Sequence, residues 1–283
     1  MAVTDLKLGY DLEITEALSN KAFVTARALL DPRSGATWMM AGGGYAMYDG
    51  VGSPATQVFG LGLRDVATED DLARIESFFD AFGADTTIES CPLAAPSLLH
   101  WLPARGYVPI ELTSVLRRSL DDLANQLHPQ WPRVREITPH ERDVWADTAA
   151  EGWATDAALS PVLKELVWVG AHSDGMHCFV AELEGRFVAT GGLAIHGEVA
   201  LLAGASTLSA FRGRGAQSAL LVERLRFARG AGCRLAMMCA APGSTSQLNA
   251  ERQGFHMAYT RIKWQRPAYG RPVESTHQER VEQ

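Results

Sequence analysis

The residues best suited to chemistry lie in one run, Leu201–Leu221, LLAGASTLSAFRGRGAQSALL. Its apolar, small-residue start predicts a buried strand, which turns through Ser209, Ala210 and Phe211 into Arg212-Gly213-Arg214-Gly215-Ala216-Gln217. The run leaves as a helix, because Ala219, Leu220, Leu221, Leu225 and Phe227 form a helical stripe. A strand, a glycine–arginine turn and a helix start make an anion site: the first-turn amides have no partner inside the helix, and the dipole places partial positive charge there. Gly213 and Gly215 let backbone approach a ligand closely, and Arg212 and Arg214 add fork-shaped donors that suit phosphate oxygens.

The elements that must position this loop come in an order that occurs twice. In the second half, Gln217 to Arg229 is a helix, Cys233 to Ala240 a strand stopped by Pro242, and Ser244 to Gln253 a short helix ended by Gly254. Phe255 opens a last strand through Ile262 and Trp264. In the first half, Asp70 to Phe82 is a helix with Thr68 as N-cap, and Thr86 to Cys91 a strand stopped by Pro92. Pro96 to Arg105 is a short helix ended by Gly106, and Tyr107 opens a strand running to Arg118. This is an internal repeat at long period. Ahead of the first copy the pattern predicts a helix over 10–30 and strands at 37–41, 45–48 and 58–63, with Gly42-Gly43-Gly44 as a tight hairpin or bulge. Ahead of the second copy it predicts a strand at 134–137, helices over 139–151 and from Ser160, and a hairpin of 178–183 with 186–189. Residues 121–132, DDLANQLHPQWP, read as a linker, and 267–283 as a mobile tail. Where the second copy has its glycine–arginine loop, the first has Glu69, Asp70 and Asp71, which suit a helix start but repel phosphate.

RGRGAQSALL is similar to the acetyl-CoA pyrophosphate loop of the GNAT superfamily of N-acetyltransferases, Gln/Arg-x-x-Gly-x-Gly/Ala. Arg212 and Gly215 match the first two fixed positions, and Gln217 departs from the third. The element order over 133–266 resembles that family throughout. The resemblance implies a mixed α/β fold of two GNAT-like domains in tandem, a degenerate one over 1–120 and an acetyl-CoA-binding one over 133–266. It implies a coenzyme site made by Ser206, Thr207 and Leu208 at the strand end, by the loop residues Arg212, Gly213, Arg214, Gly215, Ala216 and Gln217, and by Asn249 on the following helix. Members often carry Tyr four residues before the glycine of the Gly-Phe pair, as acid for the departing thiolate. Here Ala250 stands there, and Tyr259 is the nearest substitute in sequence. Candidate bases for the attacking amine are Glu151, Glu182, His196 and Glu198, of which Glu198 begins the central strand.

The expected activity is acetyl transfer from acetyl-CoA to an amine of a small molecule or peptide by direct attack. The alternative is a catalytically silent CoA-binding sensor or scaffold, which Ala250 and Gln217 favour. A dinucleotide oxidoreductase lacks its G-x-G-x-x-G fingerprint here. Net charge −7 argues against a nucleic-acid surface and mildly favours a cationic acceptor. Hydrophobic residues at 47% and charged residues at 21% of 283 residues provide a globular core, with no run long enough to span a membrane. Cys91, Cys178, Cys233 and Cys239 have no metal-type spacing and read as buried thiols of a cytosolic monomer or homodimer without a leader.

Overall fold

The computed structural model describes residues 5–121, 123, 130–153 and 160–268. Most of the expected linker and nearly all of the expected tail lie outside these residues, as do the side chains of Ser160 and Pro161.

Helix α1 (Leu6–Leu30) is capped by the Asp5 carboxylate, which accepts from the Leu8 amide at 2.8 Å. The hairpin of β1 (Thr37–Ala41) and β2 (Gly44–Tyr48) turns on Gly42 and Gly43, both at positive φ. Strand β3 (Gln57–Phe59) is shorter than the apolar pattern predicts. Past Phe59 the chain folds back, with the Gly62 amide donating to the Gly42 carbonyl at 3.0 Å. Helix α2 (Glu69–Asp80) has a capping box between Thr68 and Asp71. Strand β4 (Thr86–Ser90), helix α3 (Ser97–Ala104) and strand β5 (Val108–Ser119) complete the first half.

The second half begins with β6 (Arg133–Glu136), α4 (Arg142–Trp153) and α5 (Ser160–Ala171). Strands β7 (Met176–Leu183), β8 (Arg186–His196) and β9 (Val199–Thr207) form a meander. Then come α6 (Ala216–Gly230), β10 (Leu235–Ala240), α7 (Thr245–Arg252) and β11 (His256–Arg266). Strand β8 runs well past Ala189, where the sequence pattern ends it. Within it Gly191 makes room for the Arg224 side chain: a Cβ there would lie 2.9 Å from the guanidinium carbon.

Among the described residues, eleven strands form one sheet, in the order β1-β2-β3-β4-β11-β5-β10-β9-β8-β7-β6. The two halves exchange their last strands. Strand β11 lies antiparallel between β4 and β5, and β5 lies antiparallel between β11 and β10. Helix α1 crosses the join, packing on β1, β2 and β3 of its own half and on β8, β9 and α5 of the other.

A buried charge cluster lies at this join. Arg261 of β11, its side chain 1% exposed, reaches Glu13 at 3.2 Å and Glu16 at 2.5 Å, both on α1. Lys263 pairs with Glu89 of β4 at 3.2 Å and Glu111 of β5 at 2.8 Å. Tyr259 donates its hydroxyl to Glu13 at 2.7 Å. Tyr259, Arg261 and Lys263 alternate along β11 and so share one sheet face. Burial pushes the Glu13 carboxyl up to about 7, against the pull of Arg261.

Arg261→Leu should leave the buried Glu13 and the half-buried Glu16 without their cation, a loss of about 3–5 kcal/mol. Because the halves share strands, wild type and variant should each unfold in a single calorimetric transition; two separated transitions in wild type would contradict the interlock. A second expectation concerns pH. Glu13 titrates at 4.5 when unconstrained and at about 7 here, so the folded state binds that proton more tightly. Its stabilising contribution is complete below about 4.5 and is lost as pH rises through about 7. Urea midpoints across that window should fall less in Glu13→Gln than in wild type.

Candidate active site

The cleft follows from a parting of strands. Strands β9 and β10 run parallel and pair only over Val199–Leu201 and Leu235–Met237. Beyond that, β10 stays on β5 as far as the Ala240–Ser114 pair. Strand β9 instead stays with β8, and their register shifts between Thr190 and Gly192, with Gly204 at φ 62° in the irregular stretch. A bulge bends its strand and adds local twist. The edge of β9 that would face β10 is therefore unpaired from Leu202 to Thr207.

Arg224 of α6 supports the bend from below. It is buried, and it donates to the carbonyls of Gly192 at 2.9 Å and Ala203 at 3.3 Å. Among the described residues no carboxylate pairs with it, and burial pushes its pKa down to about 10. Trp153, at the end of α4, lies against Gly204 and donates its indole N–H to the Ala205 carbonyl at 3.0 Å. Gly152 packs so tightly on β9 that a Cβ there would lie 2.6 Å from the Ser206 hydroxyl oxygen.

The cleft continues into the loop. Gly213 and Gly215 have φ of 75° and 78°, and α6 starts without a side-chain cap. The six successive amides of Gly213 to Ser218 donate to no backbone carbonyl among the described residues. Such a run, at the positive end of a helix dipole, is a cradle for an anion. Arg214 lies over the Phe211 ring at 5.4 Å, and Arg186 lies over the same ring at 5.7 Å. Two cavities line the groove. One of 490 Å³ runs between β9, β10 and α7 beside Arg224, and the other opens over the loop; Trp153, Gln217, Ser218 and Asn249 border both.

A further cavity of 460 Å³ adjoins the first along Leu202, Ala203, Gly204 and Cys239, with Trp153 between them. Its far wall is α1, which presents Glu16, Ser19, Asn20 and Phe23. The Cys239 thiol donates to Glu16 Oε2 at 3.2 Å.

Residues 126–255 match the model of the "Acetyltransferase (GNAT) family". The second half of this chain belongs to the GNAT acetyltransferases. Comparison with curated proteins gives no match. Among solved structures, the GCN5-related N-acetyltransferase from Kribbella flavida is similar over 90% of this chain and 95% of its own, at 18% identity and TM-score 0.66. A tandem GNAT protein from the clavulanic acid biosynthesis pathway is similar over 82% and 83%, at 16% identity and TM-score 0.56. At such identities the likeness is one of fold: two GNAT-like halves in a mixed α/β arrangement.

Within the GNAT half, the residues expected at the coenzyme site are gathered around the groove, in differing roles. Ala216, buried, opens α6. Gln217 donates to the Thr207 hydroxyl at 2.6 Å and so bridges the groove instead of leaving it open, as Gly or Ala would. Arg212 turns inward to the carbonyls of Thr207 at 3.4 Å and Gly152 at 3.3 Å; it ties loop to scaffold and does not point its fork outward. The Ser206 hydroxyl bonds Thr190 at 3.0 Å, and the Leu208 amide is taken by the Val188 carbonyl at 3.0 Å. The Leu208 N–H is therefore already engaged within the sheet. Asn249 borders the groove, with its Oδ1 accepting from Arg252 at 3.1 Å.

The two catalytic expectations do not meet the cleft. Glu198 is exposed at the β8–β9 turn, six residues before Gly204, which is about 20 Å of strand at ~3.3 Å per residue. Tyr259 is buried in the charge cluster, its hydroxyl committed to Glu13, and burial raises its pKa far above a useful range. Of the other acids, Glu182 pairs with Arg135 at 2.6 Å on the far side of β7, and Glu151 is exposed on α4. His196 stands beside Met176 and Asp174, near the far end of β8. Sequence reading missed Glu16, Trp153, Arg224 and Cys239.

Gly215→Asp carries a structural penalty besides its effect on an anion. A Cβ there would lie 2.5 Å from the Trp131 ring, and the residue is held at positive φ. Strain of ~1–2 kcal/mol at such a φ, with the ring displaced in addition, should lower Tm by about 5 °C. A melting curve equal to wild type would show that Trp131 does not pack on the loop.

Proposed function

We propose that the chain is an acetyl-CoA-dependent N-acetyltransferase that binds one coenzyme, in its second half, and acetylates the amine of a small molecule. The carrying observation is continuity: the unpaired edge of β9 leads on to six amides at the start of α6 that donate to no backbone carbonyl among the described residues. A pantetheine chain has amides that can add to such an edge as an extra strand does. Its pyrophosphate suits the amide cradle, with Arg214 and Arg186 nearby. The thioester then lies near the bulge at Gly204, where backbone donors can stabilise the oxyanion of the tetrahedral intermediate. Among the described residues the first half offers no comparable seat. The start of α2 is capped by its own Thr68 and Asp71, and Glu69 and Asp70 stand beside it. Direct attack leaves the acceptor amine to enter from the side of the groove away from the loop. The boundary between the two units is proposed within 121–132.

Ser218→Asp separates binding from folding. An acidic residue in the first turn of α6 favours the helix by ~0.3–1 kcal/mol. The same carboxylate repels a pyrophosphate and displaces it from the amides. Calorimetric titration should show CoA binding at least about tenfold weaker, a change of ~1.4 kcal/mol, with Tm unchanged or raised. Equal affinities, or no CoA binding by wild type, would remove the proposal.

A further inference from the structure

The cavity behind Trp153 says what kind of amine the enzyme takes. It meets the coenzyme groove along Leu202–Gly204 and Cys239, the stretch where a thioester carbonyl would lie on the reading above, on which this inference rests. Its lining is otherwise apolar or neutral, with Phe23, Trp145, Leu166 and Val167 forming the walls. Among the described lining residues Glu16 alone carries charge. That carboxylate is held in place by Arg261 at 2.5 Å and by the Cys239 thiol at 3.2 Å, so it stands beside the junction of the two cavities. Aromatic and branched walls around one fixed carboxylate match a ligand with an apolar body and a single cation.

We infer that the acceptor is a monoamine on an aromatic or branched apolar body, held in this cavity with its ammonium on Glu16, a residue supplied by the first half of the chain. Polyamines and aminoglycosides bring several cations, which would be buried against apolar walls with one carboxylate between them. Amino acids bring a carboxylate that Glu16 repels. The step balances. The ammonium, seated on Glu16, gives one proton to solvent. The freed amine nitrogen bonds to the acetyl carbon, the carbon–sulfur bond breaks, and a second nitrogen proton leaves with the thiolate as CoA thiol. A volume of 460 Å³ sets the scale at one or two rings, as in phenethylamine or tryptamine.

The test measures thiol release from acetyl-CoA with phenethylamine, tryptamine, spermidine, kanamycin and phenylalanine, beside calorimetric binding of CoA alone. The apolar monoamines should exceed the other three at least tenfold in kcat/KM. Glu16→Gln should raise their KM at least tenfold and leave the Kd of CoA unchanged. Asn20→Asp, which adds a second carboxylate one helical turn after Glu16, should improve spermidine relative to phenethylamine by about tenfold. This variant decides the matter if Glu16→Gln unfolds. Preference for polycations or for phenylalanine, or an unaltered ranking in Asn20→Asp, overturns the inference. CoA binding with no titratable binding of either monoamine overturns it too, while leaving the acetyltransferase reading intact. Absence of CoA binding would instead strike that reading itself.

Discussion

Strands β5 and β11 are exchanged between the two halves of the sheet. Each half lends its last strand to the other, so neither sheet is complete alone. Arg261 fixes the exchange with charge: it sits on the lent strand and binds two carboxylates of α1. Burying so many ionised groups is favourable only when every partner is present. The cluster therefore behaves as a registration device, in which β11, β4 and α1 must arrive together.

The cleft inherits its shape from that arrangement. Strand β10 is held straight by the borrowed β5, while β9 bends away at its bulge, so the two part. Arg224 then satisfies the carbonyls that the bend exposes, and Trp153 covers Gly204 from the other side. Because α1 spans the join, the same helix that binds Arg261 also forms the wall of the cavity beyond the cleft. A half without obvious ligand chemistry thus contributes the one charged side chain among the described residues of that cavity.

What the sequence reveals is what local chemistry encodes. The strand, glycine–arginine loop and helix are legible because each signal lies within a few residues of the next. The repeat is legible because proline and glycine mark both copies. The exchange is not, since the pairing of Ile262 with Ser90 depends on register between distant strands and leaves no local trace. Glu198 misleads for a related reason: a strand's start is an address in sequence, and only the parting of β9 from β10 tells which end carries chemistry. Glu13 and Glu16 do leave a faint mark, two acids three apart on a helix face shared with Leu12 and Ala17. Tyr259, Arg261 and Lys263 leave its counterpart in their alternation, but joining the two marks needs the fold.

The borrowed strand also sets a timetable for synthesis. The neighbour of β4 is β11, about 170 residues further along the chain. At ~5–20 residues per second, a growing chain waits about 10–30 s between making β4 and making the strand that covers its edge. During that interval an unpaired strand beside an apolar core is open to wrong partners, including the same strand of a neighbouring nascent chain. Glu89 on β4, whose cations Arg261 and Lys263 come last, places an uncompensated carboxylate on that strand until synthesis is almost finished. Charge on a strand opposes stacking with its own copies, so the group that later locks the sheet first serves as its guard.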